Sequence, residues 1–167
     1  MERIQTGVRG KEFGKLDRVF CLIYTKGIYI NGEKCSLVLA QMRHDGMLGF
    51  PGGKVEEHHE TLIEALKDEL SQEINLKDIK ENKLKTMATF SDDKRHITVY
   101  KYEVSFRAFK EIQRNVNNAE HFYIENMGSI ALKITENSLK NIKKQRFRGM
   151  GKLELDILID EEKLLVQ

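Results

Sequence analysis

Between Glu60 and Ile74 the chain has a helical repeat whose apolar face begins in leucine and ends in glutamate. At about 100° per residue, Leu62, Ile63, Leu66, Leu70 and Ile74 share one broad face. Glu69 and Glu73 fall in the sector of Leu62 and Leu66, one or two turns further on. A solvated charge pair belongs on the opposite side, because an inward carboxylate is costly unless it is paired or coordinates a metal. Two glutamates at i and i+4 suit Mg²⁺ or Mn²⁺, which take oxygen ligands and share their shell with phosphate. An edge pair answered by surface lysines satisfies the same spacing, so the helix alone leaves both readings open.

The residues before the helix favour the metal. A strand-like run ends in Phe50-Pro51-Gly52-Gly53, which holds the only proline of the chain. Two glycines let backbone carbonyls or amides approach a metal or phosphate. Glu56 adds a carboxylate on the loop that follows.

The rest of the sequence reads as a frame for that segment. At 167 residues, 40% hydrophobic and 32% charged, it fits one soluble domain spanning 1–167. A net charge of +2 is too small to imply nucleic-acid binding, yet it is compatible with an anionic substrate. No apolar run is long enough to span a membrane, and residues 1–18 lack a secretory core. Cys21 and Cys35 sit in strand-like runs and read as reduced, buried thiols, so a cytoplasmic location is expected.

Strands are predicted over 18–25, 35–43 and 47–50, a hairpin over 83–90 and 96–106, and strands over 122–130 and 132–134. Gly27–Gly32 reads as a short ribbon or loop. Helices are predicted over 60–74, with Asn75 as a left-handed C-cap, and over 138–144 and 152–165. This mixture predicts an α/β fold, an α/β/α sandwich with a mixed β-sheet.

The segment Gln41–Leu76 resembles the Nudix hydrolases, whose box reads G-x5-E-x7-R-E-U-x-E-E-x-G-U with U apolar. Gly53, Glu60, Glu69, Leu70, Glu73 and Leu76 match. Six residues separate Gly53 from Glu60, Asp68 stands for the arginine, Gln72 for the first glutamate of the pair and Asn75 for the glycine. The longer spacing and the preceding QMRHDGMLGFPGG resemble the branch of snoRNA-decapping and inosine-diphosphatase enzymes. Ile124–Gly128 and Phe147–Gly149 resemble further segments of that branch.

The resemblance implies a hydrolase of nucleoside diphosphate-linked substrates, with Mg²⁺ or Mn²⁺ as cofactor. The implied metal ligands are Glu69, Glu73, the Gly52 carbonyl and Gln72, which offers an oxygen but no charge. Glu125 is implied as a further ligand or general base beside Glu69 and Glu73. Arg43, Phe50 and Gly53 are implied substrate contacts, Arg43 for phosphate and Phe50 for a base. A surface arginine and a core phenylalanine are the plainer readings. Where the branch has a first-strand histidine this chain has Phe20, and Glu154 stands where the branch has a glutamine. Asp68 cannot orient the box carboxylates, so Lys54 or Lys67 is expected to compensate, or metal binding to be weaker.

Other features read plainly. His58-His59 suggests zinc, but neighbours in sequence rarely point at one metal. Asp92, Asp93 and His96 fit a polar turn better than a lid. The basic segment 140–152 fits a solvated helix end better than an RNA track, although an RNA 5′ end is an expected substrate class alongside nucleotides. No membrane partner is expected, and a homodimer is compatible with the sequence. Asp68 and Gln72 also suit an alternative: a catalytically degenerate nucleotide-binding module.

Overall fold

The computed structural model describes the backbone of residues 2–3 and the whole of residues 16–165. The long strand β2 (Leu16–Ile30) follows the short β1 (Glu2–Arg3). Next come β3 (Glu33–Arg43), β4 (Leu48–Gly49) and β5 (Gly52–Lys54), then helix α1 (Leu62–Ile74). Strands β6 (Leu84–Ser91) and β7 (Arg95–Glu103) lead to α2 (Phe106–Asn115), β8 (Asn126–Ile134), α3 (Glu136–Ile142) and α4 (Gly151–Glu162).

The main path of the sheet is β1-β6-β7-β2-β3-β4, with β5 on β2 and β8 on β3. Strands β2 and β7 run parallel and the other pairs antiparallel, which makes the sheet mixed. Strand alternation divides the core between the two faces. Val19, Cys21, Ile23, Leu37 and Leu39 pack with Leu62, Leu66 and Leu70 of α1 and Phe109 and Ile112 of α2. Leu22, Tyr24, Val38 and Ala40 pack with Leu155, Leu158 and Ile159 of α4. The predicted α/β/α sandwich is thus the observed one. Leu66 and Leu70 are fully buried, so truncating either to alanine would cost about 2–5 kcal/mol.

Three expectations change. Phe106 opens a helix instead of ending a strand, because Ser105 caps it by accepting from the Ala108 N–H at 3.2 Å. Strand β8 starts only at Asn126: Phe122 makes an isolated bridge to Asn126 and residues 123–125 form turns, with Tyr123 left-handed at φ 67°. Strand β2 runs on through Gly27 to Ile30 across a bulge between Thr25 and Ile28, and the turn falls at Asn31-Gly32. The two cysteines are buried and free. Among the described residues no helix is long and apolar enough to cross a membrane.

Candidate active site

Helix α1 is fixed at both ends by its own sequence. Thr61 and Glu64 form a capping box, and Asn75 takes the left-handed C-cap at φ 56°. Leu62, Leu66, Leu70 and Ile74 are buried against the sheet, and Glu73 is buried with them at 7% exposure. The inward direction read from the helical wheel is therefore the observed one.

The Pro-Gly-Gly corner meets these carboxylates. Gly52 has φ 144°, and a Cβ there would lie 2.6 Å from the Phe20 Cα, so glycine is required. Its N–H donates to Glu73 Oε2 at 2.8 Å. A Cβ on Gly53 would lie 2.6 Å from Glu69 Cδ. Gly53 thus leaves the space that the Glu69 carboxylate fills.

Both glutamates hold protons unusually well. Burial, then the nearby Glu125, pushes Glu69 up to about 7, against the partial help of His121 and His59. Burial pushes Glu73 up to about 8; the Gly52 N–H opposes this, while Glu69 and Glu125 add to it. Among the described residues, no lysine or arginine is one of the leading causes acting on either carboxyl. The cluster is short of positive charge, which is the donor set a divalent cation fits.

Glu125 reaches this cluster from another part of the chain. His121 N–H donates to the Gln72 carbonyl at 2.9 Å, and Asn126 Nδ2 to the Glu73 carbonyl at 3.0 Å. The turn between His121 and Asn126 thereby docks on the last turn of α1. It presents Glu125, whose carboxylate lies 3.2 Å from His121 Nδ1.

Glu69, Gln72, Glu73 and Glu125 line a cavity of about 380 Å³ together with Gly52, Gly53, Arg18, Arg43 and Arg148. The lining therefore combines carboxylates with cationic side chains. Arg43 is braced by Asp45 Oδ2, 3.2 Å from its Nη2. Burial, then Arg43 and Arg18, lowers the Arg148 guanidinium below its usual range, a sign of crowded positive charge. A smaller adjoining cavity of about 140 Å³ shares Arg18, Phe20, Arg43, Gly52, Glu73 and Arg148, and adds Phe50, Ile97, Gln41 and Glu154.

Of the residues singled out in the sequence, Gly52, Gly53, Glu69, Gln72, Glu73, Glu125 and Arg43 converge on the larger cavity. Phe50 lines only the smaller one. It is 5% exposed and packs against Phe147 with ring centroids 6.0 Å apart. Glu154, weakly indicated by sequence, is buried in the wall of that smaller cavity.

Arg18, His121 and Arg148 lacked a site role in the sequence reading. Arg148 belongs to the branch-like segment Phe147–Gly149 and to the basic segment, which the structure breaks up: Lys143 pairs with Asp156 at 2.9 Å while Arg148 lines the cavities.

Two readings change at Asp68, where of the two expected outcomes lysine compensation is not the one found. Lys54 pairs with Glu56 and Lys67 with Glu81, so neither compensates for the missing arginine. Adjacent His58 and His59 do converge: both approach Asp68 Oδ2, His59 Nε2 at 2.9 Å and His58 Nε2 at 3.9 Å. The set has metal-like spacing. Its hydrogen bonds argue otherwise. The Glu56 N–H donates to His59 Nδ1 at 3.0 Å, so Nε2 carries the proton and donates it to Asp68. That tautomer makes His59 a brace between the 54–60 loop and α1, with no lone pair left for an ion. Asp92 forms the polar turn expected of it, accepting from the Lys94 and Arg95 N–H groups at 2.9 and 2.7 Å. His96 is buried in β7.

Comparison with known proteins gives the class and then the family. A mutT/nudix family protein from Listeria innocua superposes with a TM-score of 0.62 at 17% identity, over 89% of this chain and 96% of that one. A bifunctional NMN adenylyltransferase/ADP ribose pyrophosphatase from Francisella tularensis gives 0.59 at 18% identity, over 89% and 42%. The fold is thus Nudix-like. Within that class the chain belongs to the Nudt16-like family, U8 snoRNA-decapping enzyme-like, whose family model matches residues 18–165. A U8 snoRNA-decapping enzyme of Homalodisca vitripennis is 32% identical over 122 residues. That match covers 67% of this chain and 63% of the relative's length.

Proposed function

We propose that the protein is a divalent-metal-dependent hydrolase that cleaves a phosphoanhydride in a nucleoside diphosphate-linked substrate, either a nucleotide or a capped RNA 5′ end. Water attacks phosphorus. The observation that carries this reading is the pair Glu69 and Glu73, inward-facing and without a cationic partner, on a cavity lined also by Arg18, Arg43 and Arg148.

Members of the family generally use divalent metal ions. Glu69, Glu73, the Gly52 carbonyl and the Gln72 side-chain oxygen would hold Mg²⁺ or Mn²⁺ here. Such an ion supplies charge neutralisation at the phosphate oxygens and eases deprotonation of water. Gln72 contributes no charge, so this set holds one ion more firmly than any second. Glu125, oriented by His121, accepts the proton of the attacking water. Arg43 and Arg148 grip the phosphates, while Gly53 keeps their approach to Glu69 clear. Phe20 and Phe50 wall the adjoining base pocket.

The same reading takes 1–167 as one Nudix domain acting in the cytoplasm. Its test is a product-resolved assay with Mg²⁺ and Mn²⁺ over nucleoside di- and triphosphates, dinucleotides and capped RNAs. Metal-dependent cleavage of at least one class is expected, and abolished in Glu73→Gln. Nucleotide binding without product from any of them would establish a sensing module in place of an enzyme.

A further inference from the structure

Helix α1 and the loop before it meet at one hydrogen bond beside the cleft. The 54–60 loop leaves the Pro-Gly-Gly corner, which β2 holds in register, Val19 opposite Gly53 and Phe20 opposite Gly52. Val55 is buried and its N–H donates to the Asp17 carbonyl at 2.9 Å, which ties the start of the loop to the same strand. Two reciprocal bonds then close a turn. The His59 N–H donates to the Glu56 carbonyl at 3.1 Å, and the Glu56 N–H donates to His59 Nδ1 at 3.0 Å. His59 is thereby fixed in direction and only 6% exposed. Its Nε2 lies 2.9 Å from Asp68 Oδ2, and both residues line the larger cavity.

We propose that the His59–Asp68 bond positions Glu69 for the ion, on the reading above that Glu69 is a metal ligand. Asp68 is the residue before Glu69, so the bond clamps the helix where that ligand side chain leaves it. Glu73 is held directly, by the Gly52 N–H at 2.8 Å. Burial and neighbouring charges, not hydrogen bonds, lead among the influences on Glu69. Its placement therefore depends on how α1 sits against the corner. That fit is close, since a Cβ on Gly53 would lie 2.6 Å from Glu69 Cδ. A shift of α1 by about 0.5 Å would spoil the geometry that Glu69 and the Gly52 carbonyl must share. The Asp68 side chain is 56% exposed and that of His59 only 7%, so the ring is the fixed partner and the helix the one it holds. His59 is thus a positioning residue. It supplies the donor at Asp68 that Lys54 and Lys67, paired with Glu56 and Glu81, do not.

Calorimetric titration of Mn²⁺ into the metal-free full chain separates this role from a structural one, because two substitutions each reproduce one half of the imidazole. His59→Asn keeps an oxygen near the place of Nδ1 to accept from the Glu56 N–H, and loses the reach to Asp68. His59→Gln keeps a donor near the place of Nε2, and loses the acceptor. Each gives up one hydrogen bond, so thermal melts should show small and comparable losses of stability in both. Mn²⁺ affinity should fall about tenfold or more in His59→Asn, as when a bond supporting a metal ligand is removed, and stay within about threefold in His59→Gln. Asp68→Ala, at an exposed position, should reproduce the loss seen in His59→Asn. Combined with His59→Asn it should bind no more weakly than Asp68→Ala alone, because the two side chains act as one contact. Equal affinities in the two His59 variants, or losses that add in the double variant, overturn the positioning role even if wild-type binding and hydrolysis stand. A wild type that binds no Mn²⁺ and yields no product overturns the metal-site reading and this role with it.

Discussion

Two acidic clusters sit towards opposite ends of β2, and the protein treats them in opposite ways. Near Tyr24 and Lys26, Glu162 accepts hydrogen bonds from Lys101 at 2.5 Å and Lys26 at 2.9 Å, and Glu161 accepts from Lys101 at 2.9 Å. Burial works against the Glu162 charge, yet those lysines outweigh it and hold the carboxyl down to about 2. Near Phe20, on the Gly52 side, Glu69 and Glu73 rise to about 7 and 8. The first cluster closes its own charge balance and fastens α4 to the sheet. The second leaves its balance open, although arginines line the same cavity. Missing positive charge, more than acidity itself, separates a site from a scaffold.

Substitution at Glu73 breaks that contrast most severely. Glu73→Gln should lower turnover by about a hundredfold or more, as loss of a metal ligand does. It should also leave the metal-free protein as stable as the wild type or more so at pH 8, because a buried charge is removed and the Gly52 N–H keeps an acceptor. Assay and thermal melts on one preparation check both halves.

A pH series sharpens the contrast. Glu69 and Glu73 have folded pKa values above their ordinary value, so their contribution to stability is fully present below about 4.5. It is lost as pH rises through about 7 and 8. Metal-free melting temperature should therefore decline from pH 5 to 8, and Mg²⁺ or Mn²⁺ should restore it. Glu162 has the opposite sign: its contribution is present near neutrality and is lost only as pH falls towards about 2. Stability that rises across pH 5 to 8 without metal would contradict the open charge balance.

Glu162→Gln should cost about 1 kcal/mol by denaturant unfolding, in keeping with partly exposed ion pairs, and leave turnover within about twofold. The smallest change is expected from Asp68→Asn. It weakens the His59 brace from a charged to a neutral hydrogen bond, with a loss of about 0.5–1 kcal/mol and turnover lowered only a few-fold. Lys67→Met should leave metal affinity unaltered, since Lys67 pairs with Glu81 and not with Asp68.

Local signals made much of this legible. Thr61, the apolar repeat and Asn75 define α1 within a single stretch, and glutamates at leucine positions expose its inward charges. The Pro-Gly-Gly corner announces a close approach, and Gly52 and Gly53 are the positions where a Cβ does not fit. Helix α2 carried a readable signal as well: Ser105 followed by Phe106, Phe109, Ile112 and Val116 has helical spacing. The predicted strand over 96–106 takes in its apolar start.

The missed site residues are non-local. His59 acts through Asp68 on another element, and His121 through the Gln72 carbonyl, contacts that no spacing encodes. Arg18 and Arg148 lie at opposite ends of the chain and meet only because β2 and the segment before α4 border one cleft. Glu154 is marked in the sequence only by its place opposite the branch's glutamine; its burial depends on how α4 packs.

The most direct test of the open charge balance is calorimetric titration of Mg²⁺ or Mn²⁺ into metal-free protein at pH 7, repeated in buffers of different ionisation enthalpy. Glu69 and Glu73 retain protons at that pH, so ion binding should release protons in the wild type. Binding should weaken sharply in Glu73→Gln and persist in Glu162→Gln. Ion binding without proton release, or undiminished in Glu73→Gln, would contradict the account.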